Sequence, residues 1–255
     1  MKETYILKPE TLNSVNNSTL FYPCSGNDLS VPIELFAPFI TDFWFVDRGY
    51  FTPGHQDTKR YQLDLPADVI KPTIKDSNLY KFIDKTIVGR PSGTSTVRTI
   101  KPCVLTEQYL HLPTGLEFRI HRRRGYGFCG FRKEIRSLGV FFYRGDSMGE
   151  GGSGNLWLNP KHLNNICDKL IDGGLIVTDG SNHGNDRNGS ILGENYWAKH
   201  PIPGKEAMDC SKSFTDDMGR QFNCVGYAGN GYGPTLIWQV HKTVQCNQNQ
   251  STNEH

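Results

Sequence analysis

Apolar positions in this chain gather into short continuous runs, and two of these bracket a helical pattern. Leu138-Gly139-Val140-Phe141-Phe142-Tyr143 is unbroken by polar residues, as expected of a strand buried on both faces of a parallel sheet. Further on, Leu163, Ile166, Cys167 and Leu170 recur at i, i+3, i+4 and i+7, the stripe of a helix lying on a sheet. Asn159 is placed to cap that helix and Pro160 to occupy its first turn, where proline's missing N–H is not needed. Gly173-Gly174 reads as the helix stop and Leu175-Ile176-Val177 as the next buried strand. Together these make a βαβ unit. Its right-handed crossover brings the loops after both strands, residues 144–154 and 178–184, to one edge of the sheet.

A second such unit comes earlier. Thr19-Leu20-Phe21-Tyr22 is a short apolar run that ends at the turn Pro23-Cys24-Ser25-Gly26-Asn27-Asp28. Leu29, Ile33, Leu35 and Phe36, with Pro32 near the start, predict a short helix ending by Pro38. Phe43-Trp44-Phe45-Val46, closed by Asp47, is the following strand. Val104 to Leu112 and Gly115 to Arg122 also read as strands. In the second of these, Leu116, Phe118 and Ile120 alternate with Glu117, Arg119 and His121, giving one wet face. The two form a hairpin, or the second is a core strand. Phe222 to Ala228 and Thr235 to His241 flank a glycine-rich turn and form an antiparallel hairpin.

Residues 48–115 are less regular. Tyr50 to Gly54 reads as a turn, Tyr61 to Pro66 alternates, and Leu79 to Ile87 reads as a short helix. So long a stretch without structure is improbable in a compact domain, and it is read as an inserted region of β and irregular elements. The fold class is therefore α/β: a mostly parallel sheet with a C-terminal antiparallel hairpin. A single domain spans residues 18–242, preceded by an N-terminal arm or short helix at 1–17 and followed by a polar tail at 243–255.

Composition narrows the function classes. A formal charge of +2 predicts no general attraction to polyanions. The one strongly basic stretch, Arg122-Arg123-Arg124 with Arg132, Lys133 and Arg136, is interleaved with Tyr126 and Phe128. It is either a nucleic-acid contact or a solvated face. Seven cysteines without a CxxC pair point to a reducing compartment. With no apolar run near the ~20 residues that span a bilayer, no membrane partner is expected, and the chain reads as cytoplasmic.

Asp47 follows Gly26 by 21 positions, close to the spacing between a glycine turn and the acid that accepts hydrogen bonds from a ribose. The G-x-G-x-x-G fingerprint itself is absent, which argues against a nicotinamide-dependent oxidoreductase. Asp28, Asp146, Glu150, Asp179 and His183 lie at or just past expected C-terminal strand ends, where catalytic groups converge. Asp146 is the acid expected to orient an acceptor or contact a cofactor, unless Arg144-Gly145-Asp146-Ser147 is simply a turn with the carboxylate on its own backbone. His183 is the expected base. His183 with Asp179 and the distant His200 lacks metal-type spacing, so no metal is expected. The run Gly149 to Gly154 suits an anion cradle, a lid or a plain linker.

The order of elements resembles the class I S-adenosylmethionine-dependent methyltransferase superfamily, a Rossmann-like sheet whose last strand runs antiparallel to the rest. On that resemblance, Leu20 to Tyr22 is the first strand, and Ser25, Gly26 and Asn27 pass under S-adenosylmethionine. Phe43 to Val46 is the second strand, with Asp47 on the ribose hydroxyls. Val140 to Tyr143 and Leu175 to Val177 are the fourth and fifth strands, and Gly173-Gly174 matches a Gly-Gly turn often found before the fifth. Phe222 to Tyr227 and Leu236 to Val240 are the sixth and seventh. The turn here has one glycine where the family usually has two or three, and Arg144-Gly145-Asp146 replaces the Asn/Asp-Pro-Pro-Tyr of amino methyltransferases. The resemblance implies methyl transfer to an unidentified acceptor, small molecule or macromolecule. The alternative is a non-catalytic protein of this fold that binds a nucleotide-like ligand, nucleic acid or a protein partner.

Overall fold

The computed structural model describes residues 4–7, 9–50, 72–89, 103–146, 155, 157–179, 213–229 and 235–242. The elements in order are β1 (Thr4–Leu7), α1 (Pro9–Asn13), β2 (Ser18–Pro23), α2 (Ser30–Phe36), β3 (Ile40–Asp47), β4 (Tyr80–Val88), β5 (Cys103–His111) and β6 (Leu116–Arg124). Next come α3 (Gly127–Glu134), β7 (Leu138–Tyr143), α4 (Pro160–Lys169), β8 (Leu170–Thr178), β9 (Ser213–Thr215), β10 (Gln221–Gly229) and β11 (Thr235–His241). The strands form one sheet in the order β1-β10-β11-β8-β7-β2-β3-β6-β5-β4, with β9 paired to β10. The run β8-β7-β2-β3-β6 is parallel throughout. β11 is antiparallel to both β8 and β10, and β5 and β4 extend the far edge as antiparallel strands. The result is a Rossmann-like mixed sheet with flanking helices.

Alternation along the strands sends side chains to two separate cores. Leu20, Tyr22, Phe43, Phe45, Val140, Phe142 and Val177 meet Ile33 and Phe36 of α2 on one face. Phe21, Val46, Phe141, Tyr143 and Ile176 meet Phe131 and Ile135 around α3, and Leu163, Ile166 and Cys167 of α4, on the other. The continuous apolar runs are thus explained by burial on both faces. The chain passes from β2 outward to β3 over the first face, and from β7 outward to β8 over the second. Order and helix placement therefore reverse between β2 and β7. A ligand crevice forms at such a reversal, at the C-terminal ends of the strands.

The expected strands at Thr19–Tyr22, Phe43–Val46, Leu138–Tyr143 and the final hairpin are all present, and so is the cap, with Asn159 Oδ1 accepting from His162 N–H at 2.9 Å. Val104–Leu112 and Gly115–Arg122 are both a hairpin and, through β6 beside β3, part of the parallel core.

Other expectations are corrected. Gly173-Gly174 does not stop α4: the helix ends at Lys169 and both glycines lie inside β8. Between the Leu138–Leu170 and Val140–Leu175 pairs the register shifts, and Gly173 takes a φ of +72° in that irregular stretch. Leu79–Ile87 is not helical, because β4 finds its backbone partners on β5. Of the two readings of segment 1–17, the short helix is present as α1, and β1 before it pairs with β10. α3 lies where glycines interrupt the basic stretch: a Cβ on Gly127 would sit 2.8 Å from Trp157 Cζ2, and one on Gly130 would sit 2.9 Å from Val46 Cγ2. These glycines serve close helix-to-sheet packing. Among the described residues no helix is long and apolar enough to cross a membrane. Phe51 to Gly54, Tyr61 to Pro66, the run Gly149 to Gly154 and the tail 243–255 lie outside the described residues.

Candidate functional site at the switch between β2 and β7

The turn leaving β2 is tight, with Cys24 at φ +54° and Gly26 at φ +53°. Such left-handed conformations let backbone N–H groups turn outward, glycine at no steric cost. The Gly26 N–H donates to Asp47 Oδ2 at 2.9 Å and the Gly49 N–H to Asp47 Oδ1 at 2.6 Å, so Asp47 ties the ends of β2 and β3 together. Beneath them the Tyr50 hydroxyl donates to the Gly26 carbonyl at 3.0 Å, which leaves it to accept from Ser25 Oγ at 2.7 Å. Asn27 is exposed at the tip.

From the neighbouring strand end, Arg144 follows β7 and grips Asp28 in two-pronged fashion, Nε to Oδ2 at 2.7 Å and Nη2 to Oδ1 at 2.8 Å. Planar matching of this kind is what makes arginine–carboxylate pairs strong. The Tyr22 hydroxyl lies 2.9 Å from both Asp28 Oδ2 and the Arg144 carbonyl, within reach to donate to either. Burial, and then the Asp28 charge, push the Tyr22 pKa well above that of an ordinary phenol, so the hydroxyl keeps its proton. Asp146 is buried and accepts from the Tyr143 hydroxyl at 3.0 Å. Asp179 accepts from the Gly145 N–H at 2.8 Å.

Gly26, Asp28, Asp47, Asp146 and Asp179 therefore stand on one rim of the sheet, with Ser25 and Asn27. Each acid is already engaged by the protein. Glu150, His183 and His200 lie outside the described residues. The sequence reading missed the Arg144–Asp28–Tyr22 network, whose members are brought together only by the adjacency of β2 and β7. Tyr50 does lie in a turn, as its surroundings predict, but nothing local to it signals its hydrogen bonds to Ser25 and Gly26.

The basic stretch divides: Arg132, Lys133 and Arg136 are exposed, while the three consecutive arginines are interior. Arg122, Arg123 and Arg124 are buried, which corrects the solvated-face reading and withdraws these three from a nucleic-acid surface. Arg123 pairs with Glu134 of α3 at 3.1 Å, and Arg122 lies 3.8 Å from Glu107, itself buried and bonded to Thr73.

A second polar cluster crosses the outer strands. Thr106 Oγ1 lies 2.9 Å from His121 Nδ1, His121 Nε2 lies 3.1 Å from Asp42 Oδ1, and Trp44 stacks on the imidazole. The order imitates a hydrolytic triad, but it sits mid-sheet, where the strands around Thr106 are paired on both sides and build no oxyanion hole. It acts as a clamp. Burial pushes the Asp42 pKa up, but hydrogen bonds and charge from His121 and Arg119 outweigh that and leave it below the ordinary value. Its stabilising increment is thus present above the usual carboxylate pKa, and is lost as pH falls through the folded value. Asp42→Asn is expected to cost about 1 kcal/mol at neutral pH, because Arg119 is largely exposed, and to cost less in acid. Urea denaturation of both proteins at neutral pH and near pH 3 checks this, and a penalty that grew in acid would contradict it.

Comparison of the chain with protein-family models, with curated proteins and with solved structures returned no match. The class rests on the fold: a Rossmann-like α/β protein, broadly compatible with binding a nucleotide cofactor.

Proposed function

We propose that the chain is a divergent methyltransferase of the class I type, binding S-adenosylmethionine across the crevice between β2 and β7. The observation that carries this reading is the reversed strand β11, held between β8 and β10 beside a parallel core, together with Gly26, Asp47 and Asp146 on the rim at the switch. In this reading Ser25, Gly26 and Asn27 pass beneath the cofactor and Asp47 accepts from its ribose hydroxyls. Asp146 orients the acceptor or the cofactor, and His183 serves as base. Methyl transfer from a sulfonium asks chiefly for in-line positioning, with a base where the acceptor begins protonated. The acceptor is a small molecule or a macromolecule, and the setting is cytoplasmic.

A second reading, ligand binding without turnover, is favoured by one observation: both oxygens of Asp47 already accept backbone N–H groups. Thermal denaturation separates the two readings. A ligand at a hundred times its Kd stabilises the native state by about 2.7 kcal/mol. S-Adenosylmethionine or S-adenosylhomocysteine is expected to raise the midpoint, and Asp47→Ala to remove the rise. A rise with NAD alone would replace S-adenosylmethionine by a nicotinamide dinucleotide as the ligand, and no rise with any of them would leave binding of another partner as the function.

A further inference from the structure

We infer that Arg144 is a receptor for a ligand's carboxylate, and that Asp28 occupies it until that ligand arrives. The inference rests on taking the β2/β7 crevice as the ligand site. The two residues belong to the connections that leave adjacent strands at the point where the sheet reverses. Their grip, with both carboxylate oxygens held by one guanidinium edge at 2.7 and 2.8 Å, is a geometry that any carboxylate can reproduce.

The pair is unequal in a telling way. The Arg144 side chain is 1% exposed and that of Asp28 is 25% exposed. The receptor is thus fixed in the wall while its occupant faces water. Arg144 is held by the Phe142 ring, 5.5 Å from its guanidinium carbon. Asp28 sits on the turn leaving β2, its N–H donating to the Ser25 carbonyl at 2.9 Å.

Exchange avoids the large penalty that attends a buried charge left without its counterpart. One carboxylate leaves for solvent as another enters, and the guanidinium is compensated throughout. The Tyr22 hydroxyl, kept protonated by burial, donates to whichever carboxylate is in place. A pair whose only task was stability would gain little here, since buried ion pairs roughly break even against apolar residues. The incoming carboxylate is either the amino-acid end of the cofactor or part of the methyl acceptor.

Titration calorimetry with S-adenosylhomocysteine and with 5′-methylthioadenosine, which lacks the amino-acid end, tests the first source. The wild type is expected to prefer S-adenosylhomocysteine. Asp28→Asn should widen the preference roughly tenfold, and Arg144→Gln should abolish it. If Arg144→Gln does not fold, Arg144→Lys, which keeps the charge without the fork, should close most of the gap.

A preference indifferent to both substitutions, combined with acetate that stabilises the nucleoside-bound wild type but not Arg144→Gln, would assign the carboxylate to the acceptor. If neither nucleoside binds, the methyltransferase reading falls, and acetate binding to the wild type, lost in Arg144→Gln, still supports the receptor. Carboxylate probes whose binding changes with neither residue would overturn it.

Discussion

Trp157→Ala is expected to lower stability by about 4 kcal/mol, in the range seen when a large buried aromatic is truncated. The indole is 1% exposed. It stacks on Phe128 at 4.1 Å and meets Phe141 at 5.5 Å, Phe131 at 5.8 Å and Phe21 at 6.1 Å between ring centroids. It also fills the space against which Gly127 brings the start of α3. Removing it opens a cavity bounded by β2, β7 and α3 that the sheet cannot close by shifting. Thermal denaturation followed by circular dichroism should show the midpoint falling by about 10 °C. Trp157→Phe should cost much less, because the indole N–H is buried without a partner among the described residues and its loss removes a desolvation penalty. Equal costs for the two substitutions would show that ring packing is not what the position contributes.

The second large effect is expected at Asp28. Asp28→Ala strands the Arg144 guanidinium in the interior and should cost about 3 kcal/mol, as breaking a buried pair does. Arg144→Met should cost less, since the acid it leaves behind is the partly exposed member and can hydrate. Urea denaturation of the single and double variants, arranged as a cycle, measures the coupling directly. A cost for Arg144→Met above that of Asp28→Ala would mean that the cation's packing against Phe142, and not its charge, dominates.

The parallel core was legible because Phe141-Phe142-Tyr143 and Phe43-Trp44-Phe45 leave no room for a wet face, and such runs have few alternatives to a doubly covered strand. Four assignments failed for different physical reasons. α3 was hidden because Gly127 and Gly130 weaken local helix propensity, and the demand for small residues there comes from Trp157 and Val46, distant in sequence. Leu79–Ile87 was misread because an exposed edge strand carries a mixed pattern, and its hydrogen bonds come from β5. Gly173-Gly174 looked like a helix stop, since glycine at positive φ serves a strand irregularity as readily as a C-cap. The three arginines looked like a surface because charge is normally solvated. Arg122 is met by Glu107 of the neighbouring strand and Arg123 by Glu134 of α3, contacts that the folded sheet and helix create.

At the rim, the placement of Gly26, Asp47, Asp146 and Asp179 followed from topology alone, because every loop that leaves a parallel strand emerges on the same side. What topology could not convey is how each carboxylate is engaged. The Asp28–Arg144 contact spans 116 positions, and its only sequence trace is that both residues follow buried strands.

The position of β11 also bears on how the molecule is made. Among the described residues β10 reaches the parallel core through β11, and β1 pairs with β10. During synthesis the strands from β2 to β8 can assemble as they emerge, but the open border of β8 must wait for residues up to His241. Pairings so distant in sequence form slowly, and an unpaired strand border invites association with other chains. Ribosome-bound or truncated forms ending before Thr235 are therefore the species in which a chaperone would find most to hold.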